Sequence, residues 1–361
     1  MPDTFYQEDP RSAIEAQRLA QEVAFAPVVF QVSRLMVKFG ILEMLFQAKK
    51  DGLEMAEIVQ RTGLTRYAVQ CLLESSLSIG LCTEKNRIFQ IAKAGVYLLQ
   101  DPMTRVNMDF IHDVCYQGLF HLEEALQKGR PAGLRTLGNW STVYEGLSCL
   151  PKTVQQSWFA FDHFYSNNFF PEALRIVFSR PVQTLLDIGG NTGLWASQCV
   201  QYSKEVHVTI MDLPQQLEVM RKATSTVPGH DRIHGFAGNL LDDSVLPPSG
   251  FEVIWMSQFL DCFSEAEATS ILRRVAASMG PQSRVYIAET FWNRQRFETA
   301  AYCLNQISLY FTAIANGNSK MYHSDDLERC VQNAGLVVEQ LHDELGLGHS
   351  LMVCRRKILG A

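Results

Sequence analysis

The sequence predicts an α/β fold in its second half, with a mostly parallel sheet covered by helices on both faces. From residue 182 onward, apolar strand patterns alternate with helix patterns, and such alternation is typical of a parallel sheet. A glycine-rich turn joins the first strand of this region to its first helix, and two strand patterns close the chain as a hairpin. The first half shows mainly helix patterns, so we expect more than one domain.

Residues 1–104 are predicted to form a mainly helical domain that contains a winged helix. Apolar residues recur at three- and four-residue steps over 11–48, and two shorter helix patterns follow, one over 53–62 and one that begins after Thr65 and ends at Gly80. Two short strands around a turn at Lys85 and Asn86 come next, which completes the outline of a winged helix. Winged helices often bind DNA, but the second helix here carries only Arg66 near its start, which favours a role in packing.

Residues 105–180 are predicted to be a second helical segment, rich in aromatic side chains and closed by Arg180 and Pro181. Packing of the helical layer accounts for most of these rings. A minority, with Phe161 and Tyr165 as our candidates, is expected to line an apolar pocket for a flat or apolar ligand. Residues 181–361 then form the α/β domain.

The composition limits the function classes. The chain has 361 residues, 47% hydrophobic and 19% charged, with a formal net charge of -6. That balance does not favour non-specific binding to nucleic acid, which needs a clustered basic surface. The N-terminus lacks a signal-peptide pattern, and no apolar run reaches the roughly 18 residues of a membrane span. Nine scattered cysteines without a zinc-ligand spacing predict reduced thiols, no metal site and a cytoplasmic protein.

The clearest motif is the run from Leu185 to Gly193, LLDIGGNTG, in which a buried strand ends in Asp187 and enters a glycine-rich turn. Glycines allow a tight turn and close approach of a ligand. A dinucleotide-binding turn has the spacing G-x-G-x-x-G, whereas this one has D-x-G-G-x-x-G. An acid at this place repels a phosphate and can hold a cationic amino group. The motif therefore favours an adenosyl amino acid over a nicotinamide dinucleotide.

The next two predicted strands also end in polar residues. Asp212 ends the second strand, 25 residues after Asp187, where an acid typically accepts hydrogen bonds from ribose hydroxyls. Asn239 follows the third strand, where a polar side chain can meet an adenine amino group. Each acid alone could simply cap a helix. Because the carboxyl ends of parallel strands share one edge of a sheet, the set of three predicts a nucleoside-binding site there.

These motifs, with QFLDCFSEAEA after the next strand, resemble the small-molecule O-methyltransferases of the plant caffeic-acid and bacterial polyketide or carotenoid tailoring type. The likeness covers nearly the whole chain, because FGILEML and the winged helix through YLLQDP resemble the dimerisation domain of that family. It implies a class I methyltransferase fold, a Rossmann-like sheet with helices on both faces, and S-adenosylmethionine as the cofactor. It also implies a small-molecule acceptor and a homodimer formed through the N-terminal domain.

The resemblance implies roles for individual residues. The glycine turn would flank the methionine part of the cofactor, the second acid would hold the ribose, and the third strand end would meet the adenine. Two cofactor contacts depart from the family, because Ser257 stands where plant members carry a lysine and Asn239 stands where the family usually has an aspartate. The implied cofactor-binding residues are Asp187, Gly189, Gly190, Gly193, Asp212, Leu213, Gly238, Asn239, Leu240 and Ser257.

The catalytic position is the main departure from the family, because Asp261 stands where the family has a histidine base. An aspartate starts near pKa 4, so it needs burial or a nearby carboxylate to raise its pKa toward neutrality. Glu289 matches a family glutamate that orients the base, and two close carboxylates would raise one pKa. A second supporting glutamate is replaced by Met321, and Asn316 matches a substrate-pocket asparagine.

Several alternatives stay open from the sequence. His163 and His323 lie in segments that can border the pocket and are alternative bases, although a lone histidine is more often structural. Asp261 can instead serve the N-terminus of the helix that begins near Ser264. The same fold can also run a changed reaction, such as C- or N-methylation or a non-methylating reaction. A winged-helix regulator that senses the cofactor is the remaining, non-enzymatic alternative.

Overall fold

The computed structural model describes residues 5–357, and its chain divides into two compact units, one of which is Tyr6–Ile111. The second unit contains residues 112–357 together with Phe5. The predicted boundary at residue 104 falls inside a helix that ends at Phe110, so the units meet later than the sequence indicates. Residues 1–4 of the first predicted domain and residues 358–361 of the last one lie outside the described residues.

The first unit consists of six helices and a small sheet. The single predicted helix over 11–48 is two helices, because Gly40 adopts a left-handed conformation with φ of 71° and breaks the run. A capping box between Ser12 and Glu15 starts the first of them. The helices are α1 (Ala13–Lys38), α2 (Ile41–Ala48), α3 (Met55–Thr62), α4 (Arg66–Ser78), α5 (Lys93–Gln100) and α6 (Pro102–Phe110).

The predicted winged helix is present in this unit. Strands β1 (Leu53–Glu54), β2 (Cys82–Lys85) and β3 (Ile88–Ile91) form an antiparallel sheet in the order β1-β3-β2. The sequence prediction placed Leu53 and Glu54 in a helix, but they pair with Phe89 and Ile88 instead, so α3 begins at Met55.

The second unit opens with irregular helical turns and one long helix. A π-helical segment (Ile111–Cys115) and short 3-10 turns are interspersed with α7 (Leu122–Lys128) and α8 (Val143–Gly146). The long helix α9 (Lys152–Val177) follows and carries Phe161 and Tyr165. Its C-terminal turns pack Phe169 and Phe170 against the sheet described next.

A seven-stranded sheet forms the centre of the second unit, in the order β6-β5-β4-β7-β8-β10-β9. The first five strands in this order are parallel, and the last two form the predicted closing hairpin, in which β10 runs antiparallel to both β8 and β9. The strands are β4 (Thr184–Ile188), β5 (His207–Asp212), β6 (Ile233–Ala237), β7 (Val253–Ser257), β8 (Arg284–Glu289), β9 (Leu336–Leu345) and β10 (His349–Arg356).

Helices cover both faces of this sheet, so the predicted α/β fold class is confirmed. The remaining helices are α10 (Leu194–Tyr202), α11 (Pro214–Thr224), α12 (Glu265–Ser278), α13 (Glu298–Tyr310) and α14 (Ser324–Asn333). One apolar core joins the sheet to α12 and α14, and the other joins it to α9, α10 and α11. Since both faces are buried, the loops at the carboxyl ends of the parallel strands remain to form a site.

The structure also shows the state of the cysteines and the length of the apolar helices. None of the nine cysteines, all of which lie within residues 5–357, forms a disulfide. No single helix in the described part of the chain is long and apolar enough to cross a membrane. The pair α1 and α2, bent by 62°, meets that test of length and composition when the two helices are taken together.

Candidate active site

The glycine turn after β4 makes a cradle that only glycine can form. Gly189 and Gly193 have φ of 73° and 79°, a region that side chains disfavour. A Cβ at Gly190 would lie 2.7 Å from the Asp187 carboxyl and 2.8 Å from Ile210. No side chain caps the following helix α10 at Gly193, so its first N–H groups are available to a ligand. The turn therefore brings bare backbone next to a buried acid.

Asp187 is buried with one carboxyl oxygen, Oδ2, that has no hydrogen-bond partner among the described residues. Burial, and then the charge of Asp212, raises the pKa of Asp187 to about 8. A buried carboxyl without a partner is costly, and a cationic group bound beside it would offset that cost. This carboxyl is thus suited to hold a cation.

Asp212 at the end of β5 faces the same turn. Its two oxygens accept hydrogen bonds from the backbone N–H groups of Leu213 at 2.7 Å and Asn191 at 2.9 Å. Burial raises its pKa to about 6, and the two N–H bonds oppose that shift. The next strand continues this edge, because the N–H of Gly238 donates to the backbone oxygen of Asp212 at 3.0 Å. The strand ends that carry Asp187, Asp212 and Gly238 therefore lie side by side at one edge of the sheet.

The residues after Gly238 differ from one another in their surroundings. Asn239 is exposed, and its side-chain oxygen accepts a hydrogen bond from the N–H of Leu241 at 3.0 Å, while Leu240 is buried in the core. Ser257 ends β7 at the same edge of the sheet, and its hydroxyl is buried without a partner among the described residues. These strand ends extend the edge on both sides of the glycine turn.

Asp261 lies in a 3-10 turn, Leu260–Cys262, between β7 and α12. The side chain is buried, and one oxygen accepts a hydrogen bond from the Cys262 thiol at 3.5 Å. Burial raises the pKa of Asp261 to about 7, and the charge of Asp162 adds to this rise. Ser264 caps α12 and forms a capping box with Glu267, so the alternative in which Asp261 caps this helix is wrong.

Glu289 ends β8 directly beside that turn. One of its oxygens accepts hydrogen bonds from the N–H groups of Phe259 at 3.1 Å and Leu260 at 2.8 Å, and the other is buried without a partner among the described residues. Burial, and then the charge of Asp261, raises the pKa of Glu289 well above its usual value. Glu289 therefore holds the backbone of the turn that carries Asp261.

Asn316 and Met321, the two further candidates for the substrate pocket, make contacts inside the protein, and Asn316 braces this turn. Asn316 donates to the backbone oxygen of Cys262, and its own oxygen accepts from the N–H of Asn318 at 3.2 Å and the hydroxyl of Ser319 at 3.0 Å. Met321 is buried, and its sulfur accepts the hydroxyl hydrogen bond of Thr290 at 3.4 Å. Both side chains are thus occupied with contacts inside the protein.

The aromatic layer of α9 lies close to these groups. The rings of Phe161 and Tyr165 pack together with centroids 5.0 Å apart. Trp158, one turn earlier, donates from its indole nitrogen to the Tyr310 hydroxyl at 2.8 Å, and burial raises the pKa of that phenol. Trp158 and Tyr310 were not among the predicted pocket residues, since their sequence spacing of 152 positions gives no sign of this contact.

The two histidines proposed as alternative bases have different positions. His323 accepts a hydrogen bond from the N–H of Asp325 at 3.2 Å and caps α14, which is a structural role. His163 lies on α9 beside the glycine turn, with its Nε2 3.4 Å from the Thr192 hydroxyl. Its neighbour Asp162, which sequence analysis missed, accepts from the Asn191 amide at 3.3 Å.

Comparison with known proteins identifies two domains in the chain. The O-methyltransferase domain model matches residues 168–336, and the Dimerisation2-like domain model matches residues 17–89. L-tyrosine C(3)-methyltransferase of Streptomyces lavendulae is 23% identical over 87% of this chain and 85% of that protein. Demethylspheroidene O-methyltransferase of Rhodobacter capsulatus is 21% identical over 84% of this chain and 73% of that protein.

The fold has close relatives among solved structures. The S-adenosylmethionine-dependent methyltransferase SibL, in its apo form, matches with a TM-score of 0.69 and 22% identity over 93% of this chain and 98% of that one. The chain belongs to the S-adenosylmethionine-dependent O-methyltransferase family. The predicted resemblance is therefore confirmed, and this is a family of enzymes rather than of regulators.

The residues of this methyltransferase fit the cofactor of its family. S-adenosylmethionine carries an ammonium group and a sulfonium, and the site presents the unpaired buried oxygen of Asp187 next to a cradle that a Cβ would fill. Such a donor set suits a cationic amino acid and does not suit a pyrophosphate, because the carboxyl would repel it.

Proposed function

We propose that this methyltransferase transfers the methyl group of S-adenosylmethionine to a hydroxyl oxygen of a small, aromatic or apolar acceptor, with Asp261 as the base. The observation that carries the proposal is the buried carboxyl of Asp261 on a turn fixed by Glu289, at the same sheet edge as the glycine cradle. The cofactor, when bound, supplies an electrophilic methyl group. The protein supplies alignment and a proton acceptor.

Four parts of the edge are proposed to hold the cofactor. The Asp187 carboxyl would bind the ammonium group, and Asp212 would bind the ribose hydroxyls. The glycine turn would contact the methionine part through backbone alone. Gly238, Asn239 and Leu240 would border the adenine, together with Leu213 and Ser257 at neighbouring strand ends.

The pKa of Asp261 supports its role as base. With a pKa of about 7, the carboxylate form is populated at neutral pH and is still basic enough to take a proton. Burial and the charge of Asp261 favour the neutral form of Glu289, because they raise the pKa of Glu289 well above its usual value. The hydrogen bonds that Glu289 accepts from the N–H groups of the turn would keep the Asp261 carboxyl in place during transfer.

The acceptor is proposed to lie against the aromatic layer of α9. Phe161, Tyr165, Trp158 and Tyr310 offer flat apolar surfaces that suit an aromatic ring. Asn316 and Met321 would shape the pocket indirectly, by bracing the turn of Asp261 and the segment behind it.

Two measurements test this proposal. Calorimetry with S-adenosylhomocysteine should show binding to the wild-type protein, and mass spectrometry of products should show the gain of one methyl group on oxygen. Absence of binding at millimolar ligand would contradict the cofactor assignment. Binding without methyl transfer to any phenolic acceptor would contradict the reaction.

A second candidate function is transfer to carbon. Asp261 in place of the family histidine and the C-methyltransferase relative at 23% identity favour this alternative. Methylation of a phenol ring carbon also begins with removal of the phenol proton, but it places the ring carbon in line with the methyl group. The ring carbon then loses its hydrogen as a proton and the oxygen takes a proton back, which restores the phenol. Fragmentation of the labelled product by mass spectrometry separates a methyl ether from a ring methyl group.

The N-terminal unit is proposed to form a homodimer. The Dimerisation2-like model covers this region, and α1 exposes large apolar side chains that no described residue covers. We expect a second copy of the chain to bury this surface, since monomers rarely expose so many apolar groups on one helix. Light scattering should give twice the chain mass of 40.8 kDa. The exposed residues are Ile14, Leu19, Val23, Phe25 and Val28.

The thiols support a cytoplasmic location as a further proposal. All nine cysteines are unpaired, and five of them are buried. Proteins of oxidising compartments more often carry disulfides. Fractionation of cells that express a tagged chain would test this, and recovery in a secreted fraction would contradict it.

A further inference from the structure

Cys262 directly follows Asp261, and its backbone is held at both of its polar groups. Its N–H donates to the backbone oxygen of Phe259 at 3.1 Å, within the 3-10 turn. Its own backbone oxygen accepts the hydrogen bond that the Asn316 amide donates from a distant part of the chain. Because both groups are bound, the thiol extends from a fixed backbone next to the Asp261 carboxyl.

The thiol of Cys262 has one hydrogen and two acceptors within reach. Oδ1 of Asp261 lies 3.5 Å from the sulfur, and the backbone oxygen of Gln258 lies 3.8 Å from it. These lengths are usual for a thiol, because sulfur is larger than oxygen and a thiol is a weak donor. A hydrogen bond to an ionised group is roughly twice as strong as a neutral one. The thiol therefore favours Asp261 while that carboxyl is ionised, and Gln258 competes once the carboxyl has taken a proton.

A buried phenol lies near the same thiol. Tyr144 is on α8, which packs against the π-helical segment Phe311–Ala315 that leads to Asn316. The hydroxyl of Tyr144 is buried without a hydrogen-bond partner within residues 5–357, and burial, then the charge of Cys262, raises the pKa of this phenol. Since a phenol is a stronger donor than a thiol, its hydrogen would turn to the sulfur. The thiol hydrogen is then left for Asp261.

The other ionisable side chains that face Asp261 are held by different partners. They are Asp162 on α9, Glu289 at the end of β8 and Tyr322 before α14. Each of them has its hydrogen bonds with groups other than the Asp261 carboxyl. In the part of the chain that the structure describes, Cys262 is the side chain that donates to this carboxyl. The thiol is therefore the contact that orients it.

We propose that Cys262 is a positioning residue, whose thiol holds Oδ1 of Asp261 and leaves Oδ2 to take the proton of the acceptor hydroxyl. This inference rests on the proposed function, in which Asp261 is the base. A thiol suits this task because it is a weak donor. A stronger donor would orient the carboxylate as well, but it would stabilise the ionised form more and so make a poorer base.

Exchange of the thiol for a stronger donor and for none tests this hydrogen bond. Carbon-13 NMR of the full-length protein, labelled at its aspartate carboxyl carbons, gives the ionisation midpoint of Asp261, and Asp261→Asn assigns the signal. The wild-type midpoint should lie at about 7. We expect it to be about half to one pH unit lower in Cys262→Ser and about half to one pH unit higher in Cys262→Ala. Cys71→Ala removes an exposed thiol of α4 and, as the matched control, should keep the wild-type midpoint.

The order of the three midpoints decides the proposal. Equal midpoints in the wild-type protein and both variants, or shifts of the same sign in both variants, would overturn it, because a side chain that only fills space gives no such order. If Cys262→Ala does not fold, Cys262→Ser decides alone. A hydroxyl that fails to lower the midpoint would contradict a donor at this place.

The S–H stretching band gives a second, independent readout. This band lies apart from the other bands of a protein and falls in frequency when the thiol donates to a stronger acceptor. The Cys262 band, assigned by its loss in Cys262→Ser, should move to lower frequency as the pH rises through about 7. The band should stay in place in Asp261→Asn. A wild-type band that is the same on both sides of this pH would show that the thiol does not respond to the carboxyl, and the proposal is then wrong.

This proposal and the proposed function can fail separately, because neither measurement needs a methyl acceptor. If the midpoints follow the expected order and Asp261→Asn keeps full turnover, the thiol binds this carboxyl but the carboxyl is not the base, and the proposed function fails. If the midpoints do not move and Asp261→Asn loses turnover, the base assignment stands and Cys262 does not position it.

Discussion

Two places along the same sheet bury ionisable groups without partners, and they differ in kind. At the carboxyl edge, Asp187 and Glu289 each leave one oxygen unpaired among the described residues, next to a glycine cradle. At the start of β10, His349 is fully buried, neither of its ring nitrogens has a partner within residues 5–357, and it stacks on Phe169 with centroids 4.0 Å apart. The carboxyls are grouped where a ligand can approach, whereas the histidine is isolated among rings. Burial alone therefore does not identify a binding site. Several buried carboxyls beside backbone that a ligand can reach indicate a site, whereas one buried histidine among packed rings indicates strain in the core.

The two places also respond to pH in opposite directions. Burial raises the pKa of Asp187 to about 8 and of Asp261 to about 7, so folding binds protons there between pH 4 and 7. Their contribution to stability is present at low pH and is lost as the pH rises through 7 to 8. Burial lowers the pKa of His349 to about 3, so its contribution is present above about 6.5 and is lost as the pH falls.

The largest effect is expected from Asp261→Asn, which removes the proposed base and keeps the shape. We expect kcat to fall by about 100- to 10,000-fold, with the affinity for S-adenosylhomocysteine unchanged. In the wild-type protein, kcat should rise with pH and level off above about 7, where the carboxyl is ionised. Steady-state kinetics across pH 5 to 9 measures both properties.

Asp231→Asn serves as the control, because this exposed carboxyl lies away from the sheet edge that carries the base. It should keep both kcat and the pH profile. Full turnover by Asp261→Asn would show that proximity alone drives transfer and that the edge needs no base.

The glycine cradle gives the next largest effect, through Gly190→Ala. The new Cβ would lie 2.7 Å from the Asp187 carboxyl and 2.8 Å from Ile210, so the turn must shift. We expect the affinity for S-adenosylhomocysteine to fall by about 10- to 100-fold, with a loss of unfolding free energy of about 1–3 kcal/mol. Calorimetry and chemical denaturation measure the two losses.

Gly280→Ala is the matched control, because a Cβ there meets only the Ser283 hydroxyl at 3.5 Å, an ordinary contact. This variant should leave the affinity for S-adenosylhomocysteine and the free energy of unfolding nearly unchanged. Normal affinity in Gly190→Ala would mean that the cofactor does not approach this backbone.

Sequence alone predicted the cradle better than it predicted the acceptor side of the site. Asp187, the glycines of the turn and Asp212 lie within 26 residues. The local sequence accounts for each of them, as the end of a strand, as a tight turn or as a place where a ligand approaches the backbone. The parallel strand order then brings Asp187 and Asp212 together without further information.

The acceptor side depends on contacts between distant segments. Glu289 binds the turn 29 residues earlier, and Asp162 reaches Asn191 across 29 residues. Trp158 reaches Tyr310 across 152 residues. No periodicity or spacing encodes such contacts, because they depend on how α9 and the irregular turns pack. The contacts of Asn316 with Cys262 and of Met321 with Thr290 are further examples, and the assignment of both residues to the pocket stays a prediction.

A smaller effect is expected from His349→Phe, which tests the core side of the comparison. Phenylalanine keeps the stack on Phe169 and removes the group that must stay neutral. At pH 5 this histidine is protonated in the unfolded wild-type chain and neutral in the folded chain. The difference lowers the free energy of unfolding by about 2 kcal/mol. We therefore expect the variant to lose less unfolding free energy between pH 7 and 5 than the wild-type protein does.

Urea denaturation at both pH values measures this difference. His230→Phe is the control, because that histidine is exposed and its substitution should leave the pH dependence unchanged. If His349→Phe and the wild-type protein lose the same unfolding free energy between pH 7 and 5, the ring nitrogens of His349 are hydrated or move to a partner, and the prediction is wrong.

The smallest effect concerns Arg274 on α12, which holds the loop that carries the proposed adenine contacts. Its buried guanidinium donates to the backbone oxygens of Leu240 at 2.6 Å, Val245 at 2.7 Å and Asp242 at 3.0 Å. An ammonium group cannot reach three carbonyls in this geometry, so Arg274→Lys should loosen the loop. We expect the affinity for S-adenosylhomocysteine to fall by about three- to tenfold with kcat at saturation unchanged, because the loop carries the proposed adenine contacts and not the base. Its exposed neighbour is the control, as Arg273→Lys should bind normally. A fall in kcat without a change in affinity would show that this loop acts on the acceptor side of the edge instead.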